Sequence, residues 1–353
     1  MTEQPLLYIP KTSNFTTNAT GRLSYSTMNT LETCERMYQL EHVLANGAAR
    51  EESEHFSFGH GFGEGVAHYL VNQDKDAALL TAWLAYWPQI ETEKKNQAKC
   101  LNALNVAFPH LDNILQDYEV VEFEGKAAVE LNFRLNIDKT YYFAGHIDVV
   151  LKNKWSGIYF IFEVKTTGLN LHDIDPLYKN SGQALGYSIA MDRIVGEKLS
   201  SYGIIYFVAQ LGKDYTPQIK VLPYNKTLLD RLNWFMTLGL DVEKLHRMAE
   251  LDAYPKRGNS CLNYMRPCRH FGICGLHALD RVASFVPDKE VYQFEYNMDE
   301  LVKEHIERIA TPEYQSKAAI QDVEELVAAT NNNNTYCSVD DPFGLVEDLI
   351  EEF

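Results

Sequence analysis

No stretch of the 353 residues is apolar for the length of a membrane span, and the N-terminus lacks the charged-then-apolar order of a secretory signal. A membrane helix and an export leader are therefore not expected, and a cytoplasmic, reducing location is. In such a compartment the six cysteines read as thiols or metal ligands and not as disulfides. Positive charge is also scarce. Lys and Arg number 32 against 49 Asp and Glu, for a formal net charge of −17, which excludes a general polycationic coat for nucleic acid. The deficit is uneven: residues 288–353 hold 17 acids and 4 bases, or −13, so the first 287 residues carry only −4. A near-neutral body leaves room for a local basic groove. There is no internal repeat, and the length suits one large or two ordinary domains.

Residues 1–22 are polar and read as a flexible lead-in. Helical spacing is expected over Leu23–Val43, Phe56–Val71 and Ala77–Lys95. Val120–Leu135, Tyr141–Leu151, Gly157–Thr166, Tyr202–Leu211 and Gln218–Leu222 read as strands, and Pro176–Met191 and Asn225–Leu251 as helices. This order predicts an α/β domain with a central mixed sheet flanked by helices. Ser260–Gly275 is a cysteine-bearing loop, and Asp299–Ile309 and Ile320–Ala329 are short helical candidates. The expected division is a lead-in (1–22), a main domain (23–280), a helical extension (281–330) and an acidic, flexible tail (331–353).

The densest chemistry lies between residues 145 and 167. Gly145-His-Ile-Asp148 opens one apolar run, and Phe162-Glu-Val-Lys165 sits in the next, joined through Lys152–Gly157 as a hairpin. Strand alternation puts Glu163 and Lys165 on one face and Val164 on the other. Burying an acid beside a base is costly unless something binds them. A divalent cation held by Asp148, Glu163 and the Val164 carbonyl would offset that cost, with Lys165 beside an attacking water.

This set resembles the PD-(D/E)XK nuclease superfamily, in the Gly-x-x-Asp form of its RecB-like branch, with Ile147 where Pro is usual. Gln183 and Tyr187, four apart on the expected helix, resemble the Q-x-x-x-Y motif of that branch. The resemblance implies that this pair orients the metal site and contacts DNA. RecB-like nucleases also carry a helical Gly-x-x-x-His motif before the sheet. Here His60, Glu64 and His68 lie at i, i+4 and i+8, neither His stands four residues after a Gly, and one of the three is the expected further ligand for Mg2+ or Mn2+. Glu130 matches an acidic position of the branch, although a solvated strand Glu reads equally well. The implied fold is a restriction-endonuclease-like core, and the implied activity is DNA phosphodiester hydrolysis, with exonuclease action on single strands or ends favoured. Tyr25 and Tyr38 are candidate stacking platforms.

Cys34 precedes this core, and Cys261, Cys268 and Cys274 follow it. One cysteine before and three after resembles the iron–sulfur subgroup, which includes the AddB subunit and CRISPR-associated exonucleases. Their common Cys-x2-Cys-x5-Cys spacing is x6 and x5 here. The resemblance implies a 4Fe–4S cluster that clips the domain closed, and tetrahedral zinc on the same thiolates remains open. The acidic–apolar tail resembles the tips with which single-stranded DNA-binding proteins dock on replication or recombination partners. The competing classes are a non-catalytic DNA-end scaffold on the same fold and a zinc-stapled endonuclease.

Overall fold

The computed structural model describes residues 15–19, 21–43, 54–86, 92, 93, 95–211, 216–263, 266–274, 281–285, 292–312 and 314. The chain forms two compact units, residues 1–305 and 306–353. In the second, the described residues are the last turn of a helix, the bend after it and the helical residues 312 and 314. The candidate helix Ile320–Ala329 and the acidic tail lie outside the described residues, as do residues 1–14 of the lead-in.

The first unit is built on an eight-stranded mixed sheet. Its principal strands are β1 (Val129–Asn136), β2 (Tyr142–Asn153), β3 (Tyr159–Thr167), β4 (Ser201–Gln210), β5 (Gln218–Thr227) and β6 (Phe294–Asn297). The helices include α1 (Tyr25–Thr33), α2 (Glu54–Asn72), α3 (Lys75–Ala85), α4 (Gln97–Asp117), α5 (Gly182–Tyr187), α6 (Leu228–Leu251) and α7 (Met298–Ile309). Strand order is β5-β4-β3-β2-β1-β6, with Arg22–Leu23 and Tyr118–Val120 paired to β2. The α/β class with a helix-flanked central mixed sheet is the one the sequence predicts. β2 and β3 pair antiparallel as the expected hairpin, whereas β3 and β4 are parallel. A parallel pair needs a crossover. Residues 168–200 make it, and so carry α5 over the face of β3 that shows Glu163.

Helices cover both faces of the sheet. Phe58, Phe62 and Leu104 of α2 and α4 pack with Val149, Phe162 and Phe207. On the opposite face Met28, Tyr187 and Phe235 pack with Phe143, Val150 and Ile161. Each fully buried side chain of this size contributes about 1.5–3 kcal/mol. Along β3, Phe160 and Phe162 join the first core and Ile161 the second, so Glu163 and Lys165 point with Ile161. Fully buried Arg231 of α6 anchors the crossover: its Nε donates to Ser188 Oγ at 3.0 Å and its Nη2 to the Ser188 carbonyl at 2.9 Å, one residue beyond Tyr187.

Alternation fails between β1 and β2 at Glu130. Leu131 and Ile147 belong to one core, yet Val129 and Val149, two residues away on each strand, belong to the other. The missing rung between the pairs Val129–Val149 and Leu131–Ile147 is Glu130 opposite Asp148, and Glu130 has φ +51°. That left-handed conformation is unfavourable for a residue with a Cβ. It breaks the ladder where two acids face the same cleft.

Several elements differ from expectation. The helix at Leu23–Val43 is interrupted at Cys34, whose extended φ of −165° ends α1 and caps a second short turn. Pro176–Met191 is a chain of short turns and helices, restarted at Ser181, whose Oγ accepts from Gln183 N at 3.3 Å. The helix expected to reach Lys95 ends at Ala85. α4 has no counterpart in the sequence reading, and Asn96 caps it by accepting from Lys99 N at 2.9 Å. The stretch after residue 280 is not wholly helical: β6 joins the main sheet beside β1, and Arg281–Phe285 pairs with Phe15–Ala19 of the lead-in.

Candidate active site

A cleft of about 920 Å³ opens among β1, β2, β3, α1, α2 and α5. Asp148, Glu163, Lys165, Gln183 and Tyr187 all line it, and His60, Glu64 and Glu130 face it from α2 and β1. His68 does not line the cleft. It sits two turns beyond His60 along α2, with Nε2 3.3 Å from Asn72 Nδ2 and a buried Nδ1 that has no hydrogen-bond partner among the described residues. His60 Nδ1 lies 3.9 Å from Glu64 Oε1, so α2 offers these two side chains as a neighbouring pair.

The central acids are held by short contacts. Val164 N donates to Asp148 Oδ2 at 2.8 Å, locking β2 to β3. Glu163 is 1% exposed, and its Oε1 accepts from Lys165 Nζ at 2.6 Å and from Gln183 Nε2 at 2.6 Å. The same Gln183 nitrogen donates to the Tyr187 hydroxyl at 3.0 Å. Glu163 Oε2 is buried and has no hydrogen-bond partner among the described residues. An orphaned carboxylate oxygen of this kind costs stability unless it binds something.

Electrostatics point the same way. Burial, with Asp148 next to it, raises Glu163 to about 8 despite the attraction of Lys165. Burial also raises Asp148, against the pull of Lys165 and the Val164 amide. Glu130 rises to about 7 through burial and the fields of Asp148 and Glu64. Desolvation opposes the charge on Lys165, but Glu163 and Asp148 outweigh it and hold its ammonium above the ordinary range. Three acids line one cleft, one with an unmet oxygen, and carboxylate oxygens are the donor type that a hard divalent cation takes. Among the described residues no three His, Cys, Asp or Glu side chains are drawn together as a ready cage. Asp148 and Glu163 are instead engaged by Val164, Lys165 and Gln183.

The sequence matches the PD-(D/E)XK nuclease superfamily over residues 22–337. The chain belongs to that superfamily. Among solved structures it is similar to a candidate exonuclease from Eubacterium rectale, at 14% identity and TM-score 0.41, covering 68% of this chain and 86% of that one. It is also similar to the protein SSO0001, at 16% identity and TM-score 0.25, covering 62% and 86%. No curated protein matches it significantly in sequence. Among the described residues no helix is long and apolar enough to cross a membrane.

Other lining residues of this nuclease-superfamily cleft escaped the sequence reading. His146 lies on β2 two residues before Asp148, and its field opposes the rise of that acid. The two-residue spacing was the available signal. Arg22 and Tyr178 also line the cleft and carry no motif. Of the two stacking candidates, Tyr25 is 36% exposed at the rim, whereas Tyr38 is 4% exposed in the core, its hydroxyl pushed up by burial. Tyr38 therefore cannot stack on a base: its ring fills the core beneath α1.

Cys34, Cys261, Cys268 and Cys274 are free thiols, and their segments converge although the thiols are not gathered as a set of three or more. Ser260 Oγ donates to the Thr33 carbonyl at 2.6 Å across 227 residues of sequence. Arg257 Nε donates to Glu35 Oε2 at 2.7 Å, and Lys244 lies 2.7 Å from Glu35 Oε1. Arg257 and Lys244 hold the buried Glu35 carboxyl down at about 2. Glu41 binds Arg269 and His270. Cys268 N donates to the Cys261 carbonyl at 2.8 Å, and Cys274 N to that of His270 at 2.8 Å.

Proposed function

We propose that this chain is a divalent-metal-dependent deoxyribonuclease that acts as an exonuclease on single strands or DNA ends. The observation that carries the reading is the buried Glu163, shared between Lys165 and Gln183, beside Asp148 and with one oxygen unmet. Asp148, Glu163 and the Val164 carbonyl would hold Mg2+ or Mn2+, joined by His60 or Glu64 from α2. His68 is the weaker candidate because it stands outside the cleft. When bound, the cation would supply positive charge to the phosphate and a more acidic water.

The chain's own groups do the rest. Lys165 keeps its proton because two acids face it, so it can donate to the attacking water or to a phosphate oxygen. Gln183 fixes the rotamer of Glu163, and Tyr187 fixes Gln183, so these are positioning residues. Exonuclease action rests on the Gly-x-x-Asp and Q-x-x-x-Y resemblance to the RecB-like branch. The test is digestion of end-labelled linear and circular single strands. Mononucleotides or short products released from linear DNA, only with Mg2+ or Mn2+, are expected. Cutting of circles would contradict the exonuclease reading, and no cleavage of either would contradict the nuclease.

A cysteine-held 4Fe–4S cluster on Cys34, Cys261, Cys268 and Cys274 is the second part of the proposal. It is supported by thiol-only donors on segments that Glu35, Glu41 and Ser260 already tie together. Anaerobically purified protein should contain iron and sulfide, and Cys34→Ser should lose most of both while keeping the Mg2+ site. Stoichiometric zinc without iron would replace the cluster with a zinc staple.

A further inference from the structure

A second groove of about 600 Å³ runs between α1, the crossover and α6. Tyr25, Leu177 and Ser181 line both it and the active-site cleft, so the two are continuous. Ser181 Oγ donates to the Tyr25 hydroxyl at 3.5 Å on this shared wall. The main aromatic wall of the groove is Trp234, packed edge-on against Phe143 at 5.1 Å between ring centres. α5 makes room for the indole with glycines: a Cβ on Gly186 would come within 2.7 Å of Trp234.

The polar lining has a consistent chemistry. Asn29 and Asn233 offer amides from α1 and α6, and Glu32 and Asp241 offer carboxylates between them. Burial raises both acids and Asp241 raises Glu32 further, while the Lys244 ammonium pulls both the other way. Lys226, the basic residue in this lining, donates its ammonium to the Lys179 carbonyl at 2.8 Å. A groove charged in this way repels phosphates. It suits flat, uncharged rings whose edges carry N–H donors.

We propose that this groove is a nucleobase subsite. It takes bases of a single strand whose phosphate lies in the cleft, stacking them against Trp234 and Tyr25 and accepting their amino groups on Glu32 and Asp241. The backbone then runs along the outside, away from the acids. This subsite rests on the nuclease reading for its substrate, but its test does not need cleavage.

The test is binding by the full-length protein, in chelator, of a short deoxyadenylate oligomer and of an abasic oligomer of equal length and charge. Fluorescence anisotropy of labelled strands reads both. The base-bearing strand should bind at least about tenfold more tightly. Thr237→Trp fills the groove from an exposed position on α6 and should remove that difference while leaving abasic binding unchanged. Asn233→Ala, a milder change at another exposed position, should reduce it in part. Equal binding of the two strands, no binding of either, or a full base preference in a folded Thr237→Trp protein would each overturn the subsite. Base-dependent binding without Mg2+-dependent cleavage would leave the subsite standing and sink the nuclease. Cleavage without base preference would do the reverse.

Discussion

Asp148→Asn should lower metal-dependent cleavage by at least about a thousandfold and, in chelator, make the protein more stable above neutral pH. The two effects share one cause. The amide oxygen of Asn can still accept from Val164 N, so the β2–β3 lock survives. The charge is lost, and with it the field that raises Glu163 and Glu130. Asp148 and Glu163 both have folded-state pKa values above their ordinary ones. Such groups favour the fold in acid, and that contribution is lost as pH rises, for Glu163 between 4.5 and about 8. In the absence of a cation, the ionised pair is therefore a liability at pH 8 that removing one charge relieves. Thermal unfolding in chelator should give wild type and Asp148→Asn similar midpoints near pH 4 and a higher midpoint for the variant at pH 8. A variant that is less stable at pH 8 would mean that the acids are not held together at the expense of the fold.

Gly145→Ala should cost about 1–3 kcal/mol of stability and reduce activity on top of that loss. A Cβ there would lie 2.4 Å from Tyr187 Cε1 and 2.9 Å from Phe133 Cε1. Neither ring has room to retreat, since Tyr187 is 8% exposed and Phe133 is fully buried. Moving Tyr187 withdraws the hydroxyl that Gln183 donates to, and Gln183 is what fixes Glu163. The glycine is required by close approach and not by its backbone angles. A double-mutant cycle separates the two: in a Tyr187→Leu background the stability cost of Gly145→Ala should fall by more than half. An unchanged cost would place the clash elsewhere. Activity measured on folded Gly145→Ala protein should fall about tenfold or more through kcat, because positioning and not binding is disturbed.

The parts of the site that were legible in the sequence are those governed by local period. Alternation put Glu163 and Lys165 on one face, and four-residue spacing aligned Gln183 with Tyr187, although their helix is only six residues long. The contact between these pairs was not legible, because it depends on a crossover anchored from α6 by Arg231, whose position no local pattern encodes. The left-handed Glu130 was hidden as well, since neither Gly nor Asn marks it. On α2 the spacing of His60, Glu64 and His68 suggested one face, yet the eight-residue span carries His68 beyond the cleft. α4 buries Cys100, Ala103, Leu104, Ala107, Phe108 and Leu111 at helical spacing, with Pro109 inside as a misleading breaker. β6 pairs parallel with a strand more than 150 residues earlier, a contact that composition does not announce.

Manganese binding tests the centre of this reading most directly. Titrating Mn2+ into metal-free protein, with free ion followed by its magnetic resonance signal, should show binding to wild type that Asp148→Asn loses. Cys34→Ser, at a position that does not line the cleft, should retain it. Undiminished binding by Asp148→Asn would mean that the buried pair of Asp148 and Glu163 is not where the cation sits.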